Sequence, residues 1–143
     1  MIIGYTTGVF DLFHVGHLNM LKNSKAMCDR LIVGVTTDEL VTYKNKKAVI
    51  PYEERAEIVR AIKYVDAVIP QENMDKFEMW NRLKFDIMFV GDDWYGTEKW
   101  EKYEEQLGNV GVKIVYFPYF KGTSSTKINA VLDNLNGRYG VKN

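Results

Sequence analysis

Ile2-Ile3-Gly4-Tyr5-Thr6-Thr7-Gly8-Val9-Phe10-Asp11-Leu12-Phe13-His14-Val15-Gly16-His17 opens the chain directly after Met1, and its reading decides the fold. Ile2 to Thr7 is a β-like apolar run that predicts a strand, and Gly16 to Cys28 carries Leu18, Leu21 and Ala26 near helical spacing. His14 and His17, the only two histidines, therefore sit at a strand-to-helix junction. Backbone N–H groups and the positive end of a helix dipole favour an anion there, and two imidazoles on one turn add hydrogen bonds as charge builds on a phosphate. The placement points to nucleotide phosphate chemistry; a surface or core pair of histidines is the plainer alternative. Glycine at position 16 lets the chain pass close to a nucleotide, where a Cβ would obstruct it.

Working outward, strand-like and helix-like segments alternate without a linker, repeat or low-complexity tract. Arg30 to Thr36 reads as a second strand, and Pro51 opens a helix through Val65 with Ala56, Ile58, Val59 and Ile62 as its apolar positions. Ala67 to Ile69 is a short strand ended by Pro70. A helix over Asp75 to Lys84, a strand over Ile87 to Val90, a charged helix over Glu98 to Leu107, a strand over Lys113 to Phe117 and a terminal helix over Ser125 to Leu135 follow. Strands separated by helices of this length form right-handed βαβ units, so the expected fold is α/β, a doubly wound parallel sheet of Rossmann-like type, in one domain spanning 1–143. Ligands in such sheets lie beyond the carboxyl ends of the strands, where strand order reverses. Gly8 to His17, Gly91 to Trp94 and Gly122 to Thr126 each follow a predicted strand, so the topology brings them to one edge.

Composition narrows the possible partners. Nineteen lysines and arginines balance nineteen aspartates and glutamates, so the molecule offers no general attraction to nucleic acid or to an anionic membrane, and anion binding must be local. Cys28 stands alone, which excludes an intrachain disulfide and a cysteine-rich zinc site and suits a reducing compartment. Its plainest role is that of a packed small side chain. No basic segment or long apolar stretch precedes the first strand, so neither a signal peptide nor a membrane span is expected and a cytoplasmic location is.

Gly8-Val9-Phe10-Asp11 with His14-Val15-Gly16-His17, Gly91-Asp92-Asp93-Trp94, and Lys121-Gly122-Thr123-Ser124-Ser125-Thr126 together resemble the cytidylyltransferase family, over nearly the whole chain. The histidine motif alone marks the wider nucleotidyltransferase superfamily, and the Gly-Asp-Asp-Trp turn favours its cytidylyl branch. The resemblance implies transfer of CMP from CTP to an alcohol phosphate, giving a CDP-alcohol and pyrophosphate with Mg2+ assisting. Glycerol 3-phosphate is the expected acceptor, serving a CDP-glycerol pathway for a surface polymer. Choline, ethanolamine or sugar phosphates, ATP in place of CTP, and a nucleotide-binding module without turnover are the alternatives. The reaction needs no protein nucleophile, because the acceptor phosphate can attack the α-phosphorus directly.

The resemblance also assigns residues. His14, His17, Lys46 and Ser125 are the expected catalytic groups. Gly8, Val9, Phe10, Asp11, Val15, Gly16, Asp93, Trp94, Tyr119, Lys121, Gly122, Thr123, Ser124 and Thr126 are expected at the nucleotide, and Lys44, Arg55, Lys63 and Lys76 at the acceptor. Positive charge held between two anionic reactants lowers the cost of their approach, and the lysine-bearing loop could close as a lid. By composition Gly122 to Thr126 is a phosphate cradle of four hydroxyl residues at a helix start, or an ordinary cap, and it is not a P-loop. Two departures stand out. Tyr119 occupies the region where the family places an arginine, with Lys121 as a possible substitute charge, and Lys63 stands where similar enzymes have arginine. Arg55 and Lys63, eight residues apart, are expected near one helix face, with a solvent-facing helix as the alternative. A metal pair from Asp92 and Asp93 is the rival reading of that turn, opposed by the tendency of adjacent side chains to point apart. Similar enzymes are homodimers, so a homodimer is expected.

Overall fold

A computed structural model of the chain describes residues 1–43, 46–118 and 131–132. Five strands, β1 (Ile3–Gly8), β2 (Arg30–Thr36), β3 (Ala67–Gln71), β4 (Ile87–Gly91) and β5 (Lys113–Phe117), form one parallel sheet in the order β3-β2-β1-β4-β5. The chain builds outward from β1 through β2 to β3, then returns to the other side of β1 for β4 and β5. Strand order thus reverses between β1 and β4, and the loops leaving these two strands flank the crevice in which such sheets hold ligands.

Alternation along the strands explains why both faces are covered. Leu31, Val33 and Val35 of β2 join Phe10, Leu21, Ala56, Val59 and Phe89 in one apolar layer, under α1 (Val15–Lys25) and a helix over Tyr52–Arg60. Ile32, with Tyr5, Met88 and Val90, points into the opposite layer, where Met79, Trp100 and Leu107 arrive from helices over Lys76–Leu83 and Glu98–Gly108. With side chains alternating at period two, a sheet with apolar residues at nearly every position must be sandwiched between helices. The doubly wound expectation therefore holds.

Three local differences from the sequence reading have physical causes. A short helix, α2 (Asp38–Tyr43), follows β2 and buries Leu40 and Val41; its six residues are too few for a readable period. The next helix, α3, stops at Arg60 rather than Val65, and the chain then turns so that the Asp66 carboxylate accepts from the Leu31 amide and meets Lys25. Pro70 does not end β3, which runs on to Gln71. Among the described residues β3 is an edge strand with one unpaired side, where a residue lacking an N–H is tolerated. The remaining helices, α4 (Lys76–Leu83) and α5 (Glu98–Gly108), agree closely with expectation, because Asp75 and Thr97 cap them through the amides of Glu78 and Trp100. The expected terminal helix over Ser125 to Leu135 falls outside the described residues, save 131–132. No helix among the described residues is long and apolar enough to cross a membrane.

Candidate active site

Between β1 and α1 the backbone takes an unusual path. Phe10 and Leu12 both have positive φ, 55° and 51°, a region non-glycine residues rarely occupy. The turn is held because the Phe10 side chain is buried in the core layer, while the Asp11 carboxylate accepts from the amides of Val49 and Ile50 at 2.8 and 2.9 Å. The result presents the first turn of α1 to the crevice.

His14 is the N-cap of α1. Its Nδ1 accepts from the Gly16 amide at 3.0 Å, and Nδ1 of His17 accepts from the His14 amide at 3.2 Å. The two rings stack with centroids 4.0 Å apart, and His17 also sits against Phe10 and Phe13. Since each Nδ1 is an acceptor, each neutral ring carries its proton on Nε2, leaving two N–H donors on adjacent rings. Burial lowers the pKa of His14 below its ordinary value. Burial, and then the neighbouring charge of His14, bring His17 from 6.5 down to about 4, against an opposing pull from Asp11. Both rings are therefore neutral near pH 7. The fold favours the unprotonated form of His17, so its contribution to stability is complete above pH 6.5 and is lost as pH falls from 6.5 through about 4. Urea unfolding midpoints are expected to fall across this window, with the part between about pH 6.5 and about 5.5 lying above the usual titration range of aspartate and glutamate, and to flatten in that part in His17→Ala. A midpoint independent of pH between 6.5 and 4 would contradict the assignment.

Two adjoining cavities open at this edge and share Thr7, Gly8 and Val9 as their common wall. The first, about 360 Å³, is lined by Gly8, Val9, Phe10, Asp11, Gly16 and His17 with Lys46 and Lys47 opposite. The second, about 210 Å³, is lined by Lys76, Trp94, Lys99 and Trp100, with Gln71 and Thr36 at the ends of β3 and β2. The Lys76 side chain, almost fully buried, lies 3.4 Å from the Thr7 hydroxyl. Asp92 and Asp93 are successive exposed residues of a single 3-10 turn (Asp92–Trp94), and Trp94, half-exposed, packs toward Trp100. Val15 is exposed at the start of α1.

The fold thus gathers the glycine turn, the histidines, Lys46, Lys76 and Trp94 at one crevice, but two expected acceptor residues stand elsewhere. Arg55 is fully buried and lines neither cavity. Its Nε donates to Ile50 O at 2.8 Å, Nη1 to Val9 O and Thr36 O at 2.7 and 2.8 Å, and Nη2 to Asp38 at 2.6 Å. It ties together the loops after β1 and β2 and so positions the site from behind. Lys63 lies beyond the end of α3, exposed over the Tyr64 ring, on the connection into the amino end of β3. That is the opposite edge of the sheet from the crevice, because all strands are parallel, and Lys63 and Arg55 share no helix. Lys44, Tyr119, Lys121, Gly122, Thr123, Ser124, Ser125 and Thr126 lie outside the described residues. Sequence reading missed Gln71, Thr36 and Lys99. Ending β3 before Pro70 hid Gln71, although a polar residue at the carboxyl end of a parallel strand is a usable signal.

A parallel α/β sheet with a histidine-capped helix at its switch point, flanked by lysines, is an arrangement suited to holding the phosphates of a nucleotide. The cytidylyltransferase-like family profile matches residues 5–131, and the chain belongs to that family. The glycerol-3-phosphate cytidylyltransferase of Bacillus subtilis is 37% identical over 137 residues, covering 91% of this chain and 96% of that protein. An FAD synthase of Archaeoglobus fulgidus is 33% identical over 134 residues, covering 94% and 97%. Among solved structures, a lipopolysaccharide core biosynthesis protein from Thermoplasma volcanium superposes with a TM-score of 0.71 at 28% identity, over 86% of this chain and 99% of that one.

Proposed function

We propose that this enzyme transfers CMP from CTP to glycerol 3-phosphate, releasing pyrophosphate and CDP-glycerol, a precursor suited to surface polymer synthesis. The observation that carries the reading is the pair of adjoining cavities, one faced by His17 and Lys46, the other by Lys76 and Trp94. Two anionic substrates need two compartments that meet at one reacting atom, with cationic groups on each side. The triphosphate would lie against the α1 N-terminus, with His17, His14 and Lys46 donating to the oxygens that gain charge as pyrophosphate departs. Lys76 would draw the acceptor phosphate into line with the α-phosphorus, and no protein nucleophile takes part. Asp93 and Trp94 would border the nucleoside.

Among the described residues no cluster of three histidine, cysteine or acidic side chains could cage a cation. This suits Mg2+ carried on the triphosphate itself, since that ion keeps several waters and takes few protein ligands. When bound it would neutralise charge on the phosphate oxygens. A homodimer is proposed as the working state, tested by light scattering.

Adenylyl transfer is the second reading, favoured by FAD synthase relatives at 33–36% identity over similar lengths. Pyrophosphate release is measured with CTP or ATP against glycerol 3-phosphate, other alcohol phosphates and flavin mononucleotide. Release with CTP and glycerol 3-phosphate is expected; release confined to ATP or to another acceptor sinks the first reading.

A further inference from the structure

The second cavity contains a polar group without a good partner. Among its lining residues the Tyr103 hydroxyl donates to the Met74 carbonyl at 3.1 Å, and the Thr36 hydroxyl to Gln71 Oε1 at 2.7 Å. Gln71 as a whole is only 2% exposed, and its Nε2 meets no more than the Met74 thioether, at 3.8 Å. A thioether is a weak acceptor, and an amide nitrogen has two hydrogens to place. A buried donor so poorly matched costs stability unless something else completes it. No acidic side chain lines this cavity among the described residues, whereas Lys76 stands in its wall and Lys99 at its rim.

We propose that Gln71 is the residue that reads a hydroxyl on the acceptor, its Nε2 donating to the hydroxyl oxygen while the acceptor phosphate lies toward Lys76. The inference rests on the acceptor reading above and deepens it. The substrate class it defines is a small phosphate ester carrying a neutral hydroxyl. An ester carrying an ammonium group would offer the amide donor no acceptor at that group and would put a positive charge beside two lysines, with no carboxylate among the described lining residues to balance it. A simple alkyl phosphate would leave Nε2 unmatched. The bond from Thr36 turns Oε1 toward β2 and so points Nε2 the other way, which makes Thr36 a positioning residue and Gln71 the group in contact.

The test compares kcat/KM for glycerol 3-phosphate and n-propyl phosphate, by pyrophosphate release at saturating CTP, in three proteins. These are the unaltered enzyme, Thr36→Val, and the double variant Thr36→Val with Gln71→Met. Removing both ends of the bond leaves no stranded buried hydroxyl, so the double variant keeps its fold. CTP affinity, to which neither Thr36 nor Gln71 is assigned, is expected to stay within about twofold of the unaltered enzyme in all three, reporting that the fold is intact. The preference for glycerol 3-phosphate is expected to fall about threefold in Thr36→Val, where Gln71 remains but is no longer held, and about 10-fold or more in the double variant, with n-propyl phosphate turned over as well as before. A loss of packing alone would lower both substrates together. An equal preference in the two variants overturns the role of Gln71 and leaves the proposed reaction standing. Failure of the unaltered enzyme to use any hydroxyl-bearing phosphate ester, with CTP still bound, overturns the acceptor reading and the role of Gln71 with it.

Discussion

Replacing His17 with alanine is expected to lower kcat about 10²–10³-fold while the variant remains folded and binds CTP with at most a modest loss. The expectation follows from what the ring does in the resting protein. Nδ1 is engaged by the His14 amide, the ring is clamped between Phe10, Phe13 and His14, and its pKa of about 4 keeps it neutral. Nε2–H is left as a fixed, uncharged donor in a partly desolvated wall of the first cavity. Such a donor would contribute little to a ground-state phosphate whose charge is already met by the lysines of the cavity wall. It contributes more to the transition state, where the α-phosphoryl and the departing pyrophosphate gain charge at oxygens that fixed donors already face. The loss should therefore fall on kcat more than on KM. His14→Ala is expected to lower kcat similarly and to cost about 1 kcal/mol of stability besides, because it removes an N-cap. Near-normal turnover in both variants would end the proposed role of the imidazoles.

Arg55→Ala carries the largest expected effect on stability, a loss of about 3–5 kcal/mol read from urea unfolding. The guanidinium is fully buried and holds the carbonyls of Val9, Thr36 and Ile50 with the Asp38 carboxylate. Deleting it strands three buried or half-buried carbonyls and takes one partner from Asp38, a half-exposed acid whose pKa is held down by the Tyr52 amide and by Arg55 itself. Set against a typical domain stability of about 5–15 kcal/mol, this is a large share. Arg55→Lys keeps the charge but cannot reach four acceptors in one plane, so roughly half the loss is expected to remain. The same variants should weaken CTP binding, since Ile50 and Val9 flank the loops that carry Lys46 and the glycine turn. A stability loss under about 1 kcal/mol would show that the four acceptors find other partners.

Arg55 also illustrates what a linear reading misses. Along the chain it looks like a charged position on an amphipathic helix, and its kinship pattern suggested an acceptor contact. Burial was decided by where α2 and the loops after β1 and β2 converge, and no local pattern records that convergence. Lys63 fails for a related reason, since helical spacing from Arg55 has meaning only while the helix lasts, and α3 stops at Arg60. Pro70 hid Gln71 because the rule that proline ends strands holds for central strands, and strand order is a tertiary fact.

Five parallel strands, the helices α1, α3, α4 and α5 and the histidine turn at the start of α1 were legible in the sequence. Each follows from local physics: apolar alternation at period two or near 3.6, capping side chains one or three residues from the amides they serve, and glycine where the chain bends. Only the tertiary structure decided which charges enter the crevice and which brace it from behind. Those assignments depend on strand order and on burial, and both arise from contacts between residues far apart in the chain.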